Sequence, residues 1–220
     1  MQSWKTYFTN KNYVLSFFSG SVLLAVSLIV QYLASNYATR ASSGSVTDIV
    51  LSNTRVYDVD ALFVWGAVIA VLLSIFLIFK YLNYAPFIIK SSAVFIFIRS
   101  IFVSLTHISP FPTHVIISSV FFRDAVFNGI FNGNDLFFSG HTGLPFLIAL
   151  IFWNKKTVRY IFLGLSAMFA VVVLLGHLHY SIDVLAAFFI SYTIFDICKF
   201  IFKRDYQVLL NNKLESHEAL

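Results

Sequence analysis

The sequence has little of what a soluble protein carries on its surface. Only 11% of its 220 residues are charged, against 59% that are hydrophobic, whereas a soluble domain is about a quarter charged. There is one cysteine, Cys198, which excludes an internal disulfide. No soluble domain, low-complexity linker or internal repeat is visible. The composition therefore predicts an integral membrane protein whose length suits one helical bundle.

Long apolar segments take the place of the missing charge. Six are of near-spanning length, and each predicts a transmembrane helix. They cover about residues 14–37, 61–79, 88–108, 137–153, 158–175 and 182–202. The first is too long for the core of a signal peptide, so we expect it to be retained. The predicted fold is an all-α, polytopic membrane protein, with six transmembrane helices forming a single domain over residues 1–220.

The basic residues predict an orientation in the membrane. They are scattered between the apolar spans, so the net charge of +5 does not indicate nucleic-acid binding. The segments that share a side with the N-terminus hold Lys5, Lys11, Lys80, Lys90, Lys155, Lys156, Arg159, Lys199, Lys203, Arg204 and Lys213, whereas the opposite loops hold Arg40, Arg55 and Arg123. Because cytoplasmic loops are richer in Lys and Arg, both termini are predicted to be cytoplasmic.

The predicted loop over residues 109–136 is long for a compact bundle, and long loops are usually functional or disordered. Its stretch Val115–Phe122 is apolar but too short to span a membrane. We expect this stretch to be an interfacial or re-entrant piece, which would form a lid or one wall of a lipid entrance.

The first motif with catalytic chemistry is Ser139-Gly140-His141-Thr142. Pro145 is tolerated only in the first turn of a helix, so we expect the fourth helix to start near Thr142 with Thr142 as its cap. His141 would then lie at a helix N-terminus, where free N–H groups favour a bound phosphate. The alternative is a helix cap with an incidental interfacial histidine.

The second motif is His177-Leu178-His179-Tyr180-Ser181-Ile182-Asp183-Val184. On a helix, His179 and Asp183 would share one face and hydrogen-bond, whereas His177 would point away. A carboxylate on one ring nitrogen leaves the other nitrogen basic, so His179 would attack phosphorus while His141 supplies the proton. The alternative is a buried His–Asp pair with a structural role.

These two motifs resemble a known family. The first is similar to the Ser-Gly-His-Thr motif of the sphingomyelin synthases and their relatives in the type 2 phosphatidic acid phosphatase (PAP2) superfamily. The second is similar to the His-x-His-Tyr-Thr-x-Asp-Val motif of the synthase branch. The resemblance implies that His179 is the nucleophile, Asp183 its orienting partner and His141 the second catalytic histidine. It also implies an active site on the exoplasmic or periplasmic side.

Departures from the phosphatase pattern favour the synthase branch. Phosphatases usually carry an arginine six residues before the nucleophile, where this sequence has Val173, and their Lys-x6-Arg-Pro motif is absent. Arg99, Thr106 and Pro110 instead match a synthase-like Arg…Thr…Pro pattern.

Arg99 stands in the middle of the third span, where an unpaired guanidinium costs several kcal/mol. It is predicted to clamp a substrate phosphate, which its planar fork suits. The alternative is a structural ion pair with a buried carboxylate. Ser139, Gly140, Thr142 and Asp135 are the other predicted substrate-binding residues.

The prediction is a metal-independent membrane phosphotransferase that moves the phospho group of a lipid to an acceptor hydroxyl through a phosphohistidine. It needs no cofactor, and its partners are a phospholipid or sphingolipid substrate and the bilayer, with no nucleic acid. One alternative is a lipid phosphate phosphatase, with water as acceptor. Others are a zinc enzyme using the two histidines and the carboxylate, and a non-catalytic protein that binds or scrambles lipids.

Overall fold

The computed structural model describes residues 4–117 and 135–211, and these ranges fold into α-helices without any strand. The all-α prediction is therefore confirmed for the described part of the chain. The helices are α1 (Trp4–Thr9), α2 (Lys11–Arg40), α3 (Asp60–Lys80), α4 (Ala85–Leu105), α5 (Gly140–Ile151), α6 (Lys156–Leu175), α7 (Ser181–Ile201) and α8 (Lys203–Asn211), with a 3-10 turn at Leu51–Asn53.

The helix boundaries follow local capping chemistry. Asn10 caps α2, because its side chain accepts a hydrogen bond from the N–H of Tyr13 at 3.0 Å. Helix α4 starts three residues before the predicted span 88–108, since Pro86 lies in its first turn, where a proline is favoured. It also ends earlier than predicted, as Thr106 already has an extended backbone.

Five helices, α2, α3, α4, α6 and α7, are long and apolar enough to cross a membrane. The remaining predicted span, 137–153, forms α5, which has only 12 residues against the roughly 20 that a spanning helix needs. The predicted count of six spanning helices is therefore not confirmed. Most of the predicted interfacial piece Val115–Phe122 lies outside the described residues.

Alternation of the helices gives the bundle two ends. At one end, here called the histidine end, α2, α4 and α6 finish and α3, α5 and α7 begin. Two hydrogen bonds tie its loops to the end of α6: Tyr57 N–H to Leu175 O and Val115 N–H to Gly176 O, both 2.9 Å. At the opposite end, here called the lysine end, the Tyr13 hydroxyl donates to Leu82 O at 2.9 Å.

Helix α5 is packed tightly against its neighbours. A Cβ at Gly143 would lie 2.8 Å from Ser191 Oγ and 2.9 Å from the Phe95 ring, distances that real Cβ atoms do not show. Glycine at this position therefore lets α5 approach both α4 and α7. At the lysine end, the Phe152 ring stacks on Tyr84 with centroids 4.5 Å apart. Helix α5 is thereby held between α4 and α7.

Candidate active site

The chain between α6 and α7 turns through an unusual backbone conformation. His177 has a φ of 52°, in the left-handed region that few non-glycine residues adopt. Helix α7 begins only at Ser181, so His179 lies in the turn before it. The expectation that His179 and Asp183 share a helix face is therefore wrong, because the helix starts two residues after the histidine.

The predicted contact between His179 and Asp183 forms all the same. Nδ1 of His179 lies 3.3 Å from Oδ2 of Asp183. The same oxygen accepts the N–H of Tyr180 at 2.9 Å. Asp183 is only 1% exposed and His179 7%, so this contact is shielded from water. With Nδ1 held by the carboxylate, Nε2 is the ring nitrogen that is left for chemistry.

Helix α5 is capped one turn earlier than expected. The Ser139 hydroxyl accepts the N–H of Thr142 at 3.4 Å, and Gly140 is the first helical residue. Thr142 is therefore not the cap, because Ser139 already takes that role. Within the described part of the chain, the N–H groups of Gly140 and His141 have no hydrogen-bond partner. These two N–H groups are the kind of donors that bind a phosphate.

The two motifs are joined directly. The N–H of Ser139 donates to the carbonyl of Asp183 at 3.2 Å. This bond places the N-terminus of α5 beside the first turn of α7. The structure therefore brings the Ser-Gly-His-Thr segment and the His–Asp pair to one place.

The ring of His141 lies between aromatic side chains. Its centroid is 4.4 Å from that of Phe63 on α3 and 5.6 Å from that of Phe169 on α6. It is also close enough to His179 and Arg99 for charges on the three side chains to interact. His141 thus has an apolar wall on one side and the polar groups of the site on the other.

Arg99 reaches the chain that leads into α5. Its Nη1 lies 2.9 Å from Oδ2 of Asp135, its Nη2 donates to Asp135 O at 2.5 Å, and its Nε donates to Phe138 O at 2.8 Å. A Cβ on Gly140 would lie 3.3 Å from Nε, so glycine accommodates the guanidinium. Three of its five N–H groups are used here, and the other two, one on each terminal nitrogen, make no bond to the residues that the structure describes. Asp135 is therefore the carboxylate of the structural ion pair that was the alternative interpretation of Arg99.

Sequence reasoning missed Gln31 of α2. Its Nε2 donates to Asp135 Oδ2 at 3.2 Å, and its Oε1 accepts the Ser100 hydroxyl at 3.0 Å. Gln31 is the one amide between Leu15 and Leu33, a stretch otherwise apolar or hydroxylated apart from glycine, and that isolation was a usable signal. Phe63 was also missed, because one more aromatic residue in an apolar span carries no signal.

Some predicted binding residues point into the protein. The Ser139 and Thr142 side chains are fully buried and lie 3.2 Å apart. The geometry gives them a part in starting α5. His177 is turned toward Thr113, with Nδ1 2.6 Å from its hydroxyl. Within the described residues, no group of three or more His, Cys, Asp or Glu is arranged to hold a metal ion.

The comparisons with known proteins add one match. Residues 132–200 match the family model described as PAP2 superfamily C-terminal, a segment that contains both histidine motifs but none of the first four helices, and therefore not Arg99. No curated protein and no solved structure matched. The resemblance to the PAP2 superfamily is thus confirmed over this segment, whereas the narrower resemblance to the sphingomyelin synthase branch is not. A similarity to this superfamily suggests phosphatase or phosphotransferase chemistry on lipid phosphoesters.

Proposed function

We propose that this protein is a membrane lipid phosphotransferase that works through a phosphohistidine at His179. The observation that carries the proposal is the buried His179–Asp183 contact of 3.3 Å, joined to the N-terminus of α5 by the bond from Ser139 to Asp183. It puts a nucleophile, an orienting carboxylate and a phosphate-binding helix end in one place. The match of residues 132–200 to the PAP2 superfamily supports this chemistry.

In the first step, the lone pair on Nε2 of His179 attacks phosphorus. The P–N bond forms as the bond from phosphorus to the leaving oxygen breaks. Burial lowers the pKa of His141 to about 3 in the free protein, but the negative charge of a bound phosphate favours the protonated ring, and His141 gives its proton to the leaving oxygen. Asp183 accepts the Nδ1–H of His179 and stabilises the positive charge on the phosphorylated ring. The leaving group departs as a neutral alcohol.

In the second step, the acceptor hydroxyl attacks the phosphohistidine. His141 takes the hydroxyl proton as the new P–O bond forms, and the electrons of the P–N bond return to Nε2. His179 and His141 then have the protonation states with which the cycle began. The side chains alone complete the cycle.

Charge on the transferring phosphate is met by two groups. The free N–H groups of Gly140 and His141 at the start of α5 can donate to phosphate oxygens. Arg99 has two further N–H groups without a partner among the described residues, on a guanidinium that Asp135 and Phe138 O already hold in place. A preorganised donor costs little reorganisation during the reaction. In this proposal Asp135 acts through Arg99 rather than on the substrate.

The rings of Phe63 and Phe169, here called the aromatic wall, favour transfer over hydrolysis. Phe63 and Phe169 cover the His141 ring and are both buried. Because His141 activates the acceptor, an apolar wall beside it disfavours a mobile water and suits a lipid hydroxyl carried on acyl chains. The sphingomyelin synthase-like branch is accordingly our proposal, and the phosphatase is the second candidate.

We also propose that both termini are cytoplasmic and that the site opens on the opposite side of the membrane. The lysine end holds most of the basic residues of the described chain, whereas the histidine end has Arg40, the last residue of α2, and Arg55 in the loop that follows. This asymmetry matches the excess of Lys and Arg that cytoplasmic loops carry.

The activity test uses the full chain in one detergent. A panel of phospholipids and sphingolipids, with and without a hydroxylated lipid acceptor, is incubated with wild type, His179→Ala and His114→Ala. His114 is an exposed histidine at the same end and serves as the matched control. We expect turnover and a trapped, acid-labile phosphoenzyme in wild type and His114→Ala, and neither in a folded His179→Ala.

Three outcomes would contradict the proposal. His179→Ala retaining more than a few per cent of turnover would remove the nucleophile. Loss of wild-type turnover with a chelator would favour the zinc enzyme. Lipid binding or scrambling without turnover of any lipid in the panel would favour the non-catalytic protein.

The orientation test labels single cysteines in a Cys198→Ala background. Ser52→Cys lies exposed at the histidine end and Lys156→Cys exposed at the lysine end. In intact cells, an impermeant thiol reagent should label Ser52→Cys and spare Lys156→Cys. The reverse pattern would invert the proposed topology.

A further inference from the structure

Asp48 lies in the loop between α2 and α3, far in sequence from both histidine motifs and outside the segment that matches a family model. Its carboxylate is nevertheless buried, with the residue 7% exposed. A buried carboxylate is costly unless hydrogen bonds satisfy it. The hydrogen-bond partners of Asp48 therefore show which parts of the structure the buried carboxylate holds together.

Each oxygen of the carboxylate accepts two hydrogen bonds. Oδ1 accepts the N–H groups of Val50 at 2.8 Å and Leu51 at 3.0 Å, which close the Asp48 loop. Oδ2 accepts the N–H of Ser181 at 2.7 Å and its hydroxyl at 2.8 Å. Burial acts to raise the pKa of Asp48, but the hydrogen bonds from Leu51, Ser181 and Val50 outweigh it and hold that pKa below its usual value. Asp48 is therefore ionised at neutral pH.

Ser181 lies in the sequence between the two members of the His–Asp pair. It is the first residue of α7, and it stands midway between His179 in the preceding turn and Asp183 in the first helical turn. An anion at a helix N-terminus also interacts favourably with the helix dipole. Asp48 therefore binds the chain at Ser181, between His179 and Asp183. The position of Ser181 determines how the His179 ring meets the Asp183 carboxylate.

We propose that Asp48 is a positioning residue: by binding Ser181 it holds the turn that carries His179 in register with Asp183. The inference rests on the proposed function for its kinetic consequence, although the geometry that it describes does not. It extends the site to a loop that precedes the matched segment by more than eighty residues.

The decisive variant is Asp48→Asn. Because Oδ1 and Oδ2 each accept two donors, an amide can satisfy one pair only, and its NH2 group would face the N–H donors of the other. Ser181→Ala is the milder variant, since it removes the hydroxyl bond and keeps the N–H bond. Asp205→Asn is the matched control: Asp205 is equally buried, at 8% exposure, but lies at the lysine end.

We expect Asp48→Asn to lower kcat about tenfold with KM changed less than twofold, and Ser181→Ala to lower kcat about threefold. In the Ser181→Ala background, Asp48→Asn should have a smaller effect than in wild type, because the two residues share one contact. Asp205→Asn should lower the thermal midpoint at least as much and leave kcat per folded molecule unchanged. Unchanged kcat in Asp48→Asn with a lower midpoint would make Asp48 a loop anchor only.

A second readout decides the inference even if the lipid panel shows no turnover. The amides of residues 178–183 should exchange hydrogen faster in Asp48→Asn, and His179 should react with diethyl pyrocarbonate at a changed rate. Asp205→Asn should alter neither. Identical exchange and reactivity in Asp48→Asn and wild type would overturn the positioning role, whatever the activity of the protein.

Discussion

Both ends of the bundle bury charged side chains, but the two ends differ in how many hydrogen-bonding groups of these side chains have partners. At the lysine end, Lys90 Nζ lies 2.7 Å from Asp205 Oδ2. The Ser16 hydroxyl donates to Asp205 Oδ1 at 2.5 Å and accepts from Lys90 Nζ at 2.7 Å. The Lys90 ammonium also lies 5.2 Å from the Phe202 ring centroid. This cluster joins α2, α4 and α8 and neutralises itself.

The histidine end leaves part of its hydrogen-bonding capacity unused. Nε2 of His179, two N–H groups of Arg99 and the N–H groups of Gly140 and His141 make no bond within the described residues. A buried ion pair adds little to stability by itself, so what distinguishes the two ends is the unsatisfied donors and acceptors. This difference supports our proposal that the lipid substrate binds at the histidine end.

The largest expected effects come from replacing one buried aspartate by asparagine at each end of the bundle. In Asp183→Asn the amide oxygen can still accept both donors, because Tyr180 N–H and His179 Nδ1 share Oδ2. Only the charge is lost, and turnover should fall by about several hundredfold, as in other His–Asp couples. The thermal midpoint should change little. Turnover and midpoint measured on the same preparation check both parts.

Asp205→Asn should show the opposite pattern. It removes the negative charge opposite the largely buried Lys90 ammonium, which costs about 3–5 kcal/mol, while the turnover of the folded fraction stays normal. If Asp183→Asn were the destabilised variant and Asp205→Asn the inactive one, the assignment of the two ends would be reversed.

A smaller effect is expected from exchanging the two cations. Arg99→Lys keeps the charge but cannot reach Asp135 and the Phe138 carbonyl while also presenting free N–H groups, so turnover should fall about tenfold. Lys90→Arg at the other end should be nearly neutral for turnover. Kinetics of both variants in one detergent test this. A catalytically normal Arg99→Lys would make Arg99 a structural partner of Asp135, and Arg99→Leu should then cost mainly folding.

The smallest effect concerns the acceptor. Phe63→Ala opens the wall beside His141, so the ratio of hydrolysis to transfer should rise by about a few fold while total turnover changes less. Phe162→Ala removes a ring that is just as buried, two turns from Phe169 on α6 and away from His141, and should leave the ratio unchanged. Both products are measured in one assay. An unchanged ratio in Phe63→Ala would remove the aromatic wall from the choice between lipid and water.

The helices and the two histidine motifs could be predicted because their signals are local. Apolar length gives a span, and the spacing of His179 and Asp183 brought them into contact even though the helix starts at Ser181 rather than before the histidine. The start of α5 was predicted wrongly because Ser139 and Thr142 are both good caps, and only the packed structure selects Ser139.

The supports of the site could not be predicted in the same way. Asp48 and Ser181 are 133 residues apart and Gln31 and Asp135 are 104 apart, so neither contact leaves a local pattern. An aspartate in a polar loop is typical of a solvated surface, and only the fold shows that it is buried. Such contacts need tertiary structure because they join loops and helices that are distant in sequence and meet only in the fold.

Helix α5 is short and begins beside the interior of α4, and this sets the depth of the proposed site in the membrane. Arg99, which touches the start of α5, lies fourteen residues after Ala85 and six before Leu105, so it is about 21 Å from one end of α4 and about 9 Å from the other. If α4 spans the hydrocarbon layer in the orientation proposed above, lipid phosphates at the nearer membrane surface lie beyond His141 and His179, the proposed catalytic residues. The head group must descend or the leaflet must thin around α5, at a cost of fractions of a kcal/mol per Å. Under the proposed function, bilayer thickness would then regulate turnover, because a thinner membrane brings the lipid phosphate closer to the site.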